Sequence, residues 1–200
     1  MMWLQMNTDE DGVYMYNKNA LTWTRLKLGE PYVPREDGLH VVYFRNRKCP
    51  GCKAFDRIWI EYIKKHREDH NIKEFIIVQC THFFYECFDG DAVDTFILYL
   101  VLETPQVIAI ISENSTPIYI EREIGVDTLD KLEIFVNGTF DRMKRYFEEN
   151  HEEETDSGSL YIDLDFKKPK EVVSKLRKLL FEGRNIREVC DEKGCRIFIE

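Results

Sequence analysis

Two hundred residues, 44% of them hydrophobic and 13% aromatic, can bury a real core. They suit one domain with an appendage or two small domains, and exclude a large multidomain enzyme. A net charge of -9 gives no general attraction to nucleic acid. No apolar run approaches the ~20 residues of a membrane span, and the first ten residues have neither the basic start nor the apolar stretch of a signal peptide. The expectation is therefore a cytoplasmic protein with no nucleic-acid or membrane partner.

Residues 1–38 read as an N-terminal extension with short strands over 3–6 and 13–16, followed by a loop containing Pro31 and Pro34. Trp3, Tyr14, Tyr16 and Trp23 are assigned to packing, because aromatic residues at strand spacing usually face a core. The central stretch begins at Leu39. An apolar strand runs to Phe44, a basic turn follows, and Cys49-Pro50-Gly51-Cys52 opens a helix. Ala54, Phe55, Ile58, Trp59, Tyr62 and Ile63 fall on one stripe of that helix, with charged residues on the other.

Unpaired N–H groups and the positive end of the dipole favour a thiolate at a helix N-terminus, and Arg45, Arg47, Lys48 and Lys53 add cationic charge. Cys49, projecting outward, is expected to attack. Cys52, one turn later and covered, is expected to resolve the mixed disulfide. The cations also predict an oxidising couple, since they stabilise the thiolate of the reduced form.

Six cysteines form three local pairs, Cys49/Cys52, Cys80/Cys87 and Cys190/Cys195. Pairing on this scale points to disulfides or metal. Intracellular disulfides are at home in hyperthermophiles, and 32% charged residues with few glutamines lean the same way. Further along, a strand over 75–80 leads through a loop to a helix over 91–102. Then come Thr104-Pro105, strands over 106–111 and 116–121, Gly125, and a helix over 128–147 that Asn137-Gly138 can kink. Residues 149–159 form an acidic linker without apolar pattern. Residues 160–200 read as a small β-α-β-β module: a strand over 160–166, a helix over 169–182, and a hairpin around residues 191–194. About forty residues are too few to be comfortably stable alone, so this module is expected to dock on the first domain or on a second copy, which leaves room for a homodimer.

The Cys49/Cys52 pair ahead of a helix, Thr104-Pro105 ahead of two strands, and Gly125 ahead of a further helix occur in an order that resembles the thioredoxin superfamily over about residues 39–148. The resemblance implies an α/β, thioredoxin-like fold, a central mixed sheet flanked by helices. It implies thiol-disulfide exchange on protein disulfides, with protein dithiol or disulfide substrates and a reductase as partners, and no cofactor. It also implies a cis Pro105 facing the cysteines, so that Thr104, Pro105, Pro50 and Gly51 bind substrate. Three positions depart from the thioredoxin pattern. Lys48 stands where a tryptophan is usual, Tyr43 aligns with the buried acid, and Gln79 aligns with that acid's lysine partner, so a neutral pair takes the place of a charged one.

The competing reading is a non-catalytic binding module whose cysteines form structural disulfides or a zinc site, since Cys-Pro-X-Cys is also a metal knuckle. A zinc site needs a second pair at knuckle spacing. Cys80/Cys87 lacks it and Cys190/Cys195 is marginal, so no metal is assigned. Both pairs are candidates for structural disulfides, with a second redox pair or buried thiols as alternatives at Cys80/Cys87. Asp163 and Asp165 are taken as solvated carboxylates. The tail, lacking a redox motif, is expected to serve partner choice or assembly.

Overall fold

The computed structural model describes residues 8–148 and 165–200. The expected strand over 3–6, Trp3, the 149–159 linker, and Asp163 with nearly all of the 160–166 strand lie outside the described residues. The elements in order are β1 (Gly12–Asn17), β2 (Thr22–Arg25), β3 (Gly38–Asn46), α1 (Pro50–His66), β4 (Ile72–Cys80), α2 (Gly90–Leu98), β5 (Glu103–Thr104), β6 (Gln106–Glu113), β7 (Thr116–Ile124), α3 (Leu129–Asn137), α4 (Thr139–Glu148), α5 (Pro169–Leu176), β8 (Ile186–Cys190) and β9 (Cys195–Ile199).

The result is an α/β architecture built on a mixed six-stranded sheet, ordered β2-β1-β4-β3-β6-β7. β3 and β4 are parallel, which requires a crossover, and α1 supplies it. All other pairs in this sheet are antiparallel. Strands covered on both faces read as continuous apolar runs, and β3, β4 and β6 have that character. On one face, Phe55, Trp59, Tyr62 and Ile63 of α1 and Leu132 and Val136 of α3 pack on Val41, Tyr43, Phe75 and Ile77. On the other, Phe96 and Ile97 of α2 and Val172, Val173 and Leu176 of α5 pack on Val42, Phe44, Ile76 and Val78. Tyr14, Tyr16 and Trp23 are buried in packing.

Several boundaries differ from the sequence reading. The helix over 91–102 ends at Leu98, because Leu100 takes a positive φ. The helix over 128–147 is two helices broken at Gly138. There Arg142 lies where a Cβ would stand, donating to the Phe135 carbonyl and to Glu121. The tail helix is α-helical only to Leu176 and then widens into a π-helical segment, Arg177–Phe181. Of the expected strand over 160–166, the described end at Asp165 and Phe166 is not extended strand; Phe166 is buried and stacks on Tyr99 at 6.1 Å.

Both outer cysteine pairs are disulfides, Cys80–Cys87 and Cys190–Cys195. Cys80–Cys87 ties the buried end of β4 to the loop before α2. Closing a loop this short stabilises by about 2–3 kcal/mol in the chain-entropy model. Cys87→Ser is therefore expected to lower unfolding stability by about 2 kcal/mol in chemical denaturation while leaving Cys49 alkylation unchanged.

The tail docks on the first domain. α5 packs against α2, and β9 pairs with β5 in a second, three-stranded sheet ordered β5-β9-β8. β5 lies immediately before Pro105, so the docking position of the tail is set by the same loop that faces the cysteines.

Candidate active site

β3 ends at Asn46, whose carbonyl accepts from Cys49 N at 3.2 Å and whose side chain accepts from Phe83 N at 2.9 Å. The chain is thereby turned so that Cys49 becomes the N-cap of α1, with Pro50 in the first turn, where its missing N–H costs nothing. Cys49 Sγ accepts from Cys52 N at 3.2 Å, the bond that a serine or aspartate oxygen makes in an ordinary cap. Cys49 and Cys52 are free cysteines and both are buried. The Thr104–Pro105 peptide is cis, and the Thr104 carbonyl lies 3.7 Å from Cys49 Sγ. Cys49, Cys52, Gly51 and Thr104 are thus brought together. Pro50 and Lys48 face solvent.

The two thiols are electrostatically unlike. The Cys49 pKa is lowered to about 7, chiefly because the Cys52 thiol donates to the Cys49 sulfur; the backbone N–H groups of Cys52 and Gly51 and the Thr104 side chain act in the same direction against the burial. Burial and the neighbouring Cys49 sulfur raise Cys52 well above an ordinary thiol. At neutral pH Cys49 is therefore about half thiolate, against a few per cent for an ordinary cysteine. The thiolate is the reactive form, so alkylation of Cys49 by iodoacetamide is expected to rise with pH through a midpoint of about 7, as measured by peptide mapping of timed aliquots.

The cations named from the sequence are not the cause. Arg45 is turned to Gln79 Oε1 at 2.5 Å and Asp56 Oδ2 at 2.8 Å, and Arg47 reaches Asp11 at 3.5 Å. Lys48 and Lys53 are exposed. Tyr43 and Gln79 do take part in a buried network beneath the cysteines. Tyr43 donates between the Cys52 carbonyl at 3.1 Å and Asp56 Oδ1 at 3.0 Å. Asp56, one turn after Cys52, is a half-buried acid that the sequence reading missed; desolvation raises its pKa despite the Arg45 guanidinium. The missing signal was the helical i, i+4 spacing from Cys52, which places a carboxyl on the same side of α1.

The second correction concerns exposure. Cys49 does not project outward: it is 1% exposed. The β8–β9 hairpin lies over it. Thr104 is the register partner of Cys195 and Glu103 that of Arg196, and Ile197 N donates to the Leu102 carbonyl at 2.9 Å. A Cβ on Gly51 would stand 2.1 Å from the Lys193 carbonyl oxygen, and one on Gly194 would stand 2.3 Å from the Thr104 carbonyl oxygen. The hairpin turn is therefore laid backbone to backbone on the cysteine motif and on the Thr104 edge, and only glycine allows that approach. The hairpin is anchored from its other strand as well, where Glu188 accepts from Tyr85 and faces His82 Nδ1 at 3.0 Å.

Among the described residues, the cluster of metal-ligating groups is Glu188, Cys190 and Cys195, whose two sulfurs are consumed by their bridge. No third histidine, cysteine or carboxylate joins Cys49 and Cys52 in such a cluster among the described residues. No described helix is long and apolar enough to cross a membrane.

The site is thus a buried dithiol at a helix N-terminus, the Cys49 pKa lowered and the Cys52 pKa raised, against a cis X-Pro edge. No protein-family model matches the chain, and no curated protein does.

Proposed function

We propose that this chain is a thiol-disulfide oxidoreductase of thioredoxin-like fold, with Cys49 attacking and Cys52 resolving. The observation that carries the reading is geometric: Cys49 caps the N-terminus of α1, its sulfur accepting from Cys52 N at 3.2 Å and lying 3.7 Å from the carbonyl of Thr104 at the cis Thr104–Pro105 bond. The strand order supports it: parallel β4 and β3, then antiparallel β6 and β7, with Pro105 leading directly into β6.

In the proposed cycle the Cys49 thiolate attacks one sulfur of a protein disulfide, and the other sulfur leaves as a thiolate that takes up a proton. Cys52 is then deprotonated and attacks Cys49 Sγ, releasing the reduced substrate and leaving a Cys49–Cys52 disulfide. The half-buried Asp56 carboxyl is joined to the Cys52 carbonyl through the Tyr43 hydroxyl. A partner dithiol regenerates the pair. No cofactor enters the cycle.

The redox poise follows from the Cys49 thiolate. A Cys49 pKa of about 7 lies in thioredoxin's range, and with Arg45 and Arg47 bound to Gln79, Asp56 and Asp11 and with Lys48 and Lys53 exposed, the oxidising bias expected from the sequence loses its cause. We expect the couple near thioredoxin's, at about -270 mV.

Reduction of insulin disulfides by the wild type and by Cys49→Ser, with metal analysis of the same samples, tests the proposal. Activity in the wild type and background turnover in Cys49→Ser fit it. Equal turnover in both proteins, or stoichiometric zinc lost with Cys49, replaces it with the binding-module reading.

A further inference from the structure

A buried Cys49 poses a physical difficulty. Peptide disulfides need an open edge at Thr104, yet β9 occupies that edge in register, and the chain that occupies it itself contains a disulfide. Cys195 is 3% exposed and belongs to the same buried cluster as Cys49 and Cys52. It is the residue opposite Thr104, whose carbonyl lies 3.7 Å from Cys49 Sγ. Its partner Cys190 is exposed at the other end of the bridge. Beside the pair, Thr104, Pro105, Val189, Cys195 and Phe198 line an open cleft of about 380 Å³.

Resting on the exchange activity proposed above, we propose that the Cys190–Cys195 disulfide is an internal substrate of Cys49 and Cys52, a second redox pair that carries electrons between the buried dithiol and protein disulfides at the surface. The hairpin is then a relay held in the substrate edge.

The steps balance within one chain. The Cys49 thiolate attacks Cys195 Sγ; a Cys49–Cys195 bond forms, the Cys190–Cys195 bond breaks, and Cys190 leaves as a thiolate that takes a proton from solvent. Cys52 releases its proton, attacks Cys49 Sγ and expels Cys195, which is protonated in turn. Two electrons pass from the Cys49/Cys52 pair to the Cys190–Cys195 bridge, with the protons exchanged through solvent, leaving the first pair oxidised and the second reduced. The same steps reversed carry electrons inward. Because the attack is intramolecular, its rate is independent of protein concentration.

Cys52→Ser tests this, since it stops the sequence at the mixed disulfide. The full-length variant is incubated at neutral pH, quenched in acid, alkylated after denaturation and digested with trypsin, which cuts after Lys193 and separates Cys190 from Cys195. The expected result is a Cys49–Cys195 cross-link in monomeric protein, with loss of the Cys190–Cys195 bridge, alkylated Cys190, and a rate unchanged on dilution. A parallel sample receives the model disulfide 5,5′-dithiobis(2-nitrobenzoate). Cys49 that reacts with this reagent while Cys190–Cys195 stays intact overturns the relay and leaves the exchange activity standing. Cys49 that reacts with neither overturns both. Should Cys52→Ser fold poorly, the Cys52→Ala/Cys190→Ser variant, oxidised with glutathione, gives the second reading. A Cys49–Cys195 bond supports the relay, and separate glutathione adducts on Cys49 and Cys195 contradict it.

Discussion

Cys52→Ser is expected to bring insulin reduction to background while Cys49 accumulates in mixed disulfides. The reason lies in the order of events. The activated thiolate of Cys49 performs the first attack without help from a second thiol, whereas release of the product requires an internal thiol to expel it. Cys52 is suited to wait: it is fully buried, and its pKa is raised by burial and by the Cys49 sulfur, so it does not compete for substrate. Substrate trapped equally well by Cys49→Ser would contradict this assignment of roles.

Gly51→Ala is expected to raise the alkylation rate of Cys49 by about tenfold or more, which corresponds to removing about 1.4 kcal/mol of hairpin docking. The added Cβ would stand 2.1 Å from the Lys193 carbonyl oxygen and 2.6 Å from Gly194 N. Both are backbone atoms, which cannot swing aside as a side-chain tip does, so the hairpin turn must leave. The helix itself accepts the change, since Gly51 does not use a positive φ and alanine has the higher helix propensity. Gly194→Ala approaches the Thr104 carbonyl from the opposite side and is expected to act in the same direction. Timed alkylation with peptide mapping reads both variants; a Cys49 rate unchanged in each would mean that the hairpin does not guard the sulfur.

The sequence and the structure agree where the signal is local. The apolar runs of β3, β4 and β6, the stripe of α1, and the turn between β8 and β9 are each specified by residues within a few positions of one another, and each was legible. The helix start at Cys49 was legible for the same reason. Three features were not. Arg45 and Arg47 stand close to the cysteines in the chain, but strand alternation and the partners Asp56 and Asp11 turn them away from the sulfur. Sequence distance therefore misled the electrostatics. Asp56 read as part of a solvated helix face until Tyr43 and Arg45 on β3 were seen to close over it. The burial of Cys49 depends on a two-residue strand, Glu103–Thr104, meeting a segment ninety residues further on. Nothing in either stretch alone specifies that pairing, although the two glycines that permit it, Gly51 and Gly194, are both visible in the chain.

The most direct test of the central claim is a redox titration of the Cys49/Cys52 pair. The full-length protein is equilibrated across a series of dithiothreitol or glutathione buffers, quenched in acid, and mapped by mass spectrometry for the Cys49–Cys52 disulfide. A single two-electron transition near about -270 mV, absent in Cys49→Ser, is the predicted result. A pair that remains two thiols across the whole series contradicts it.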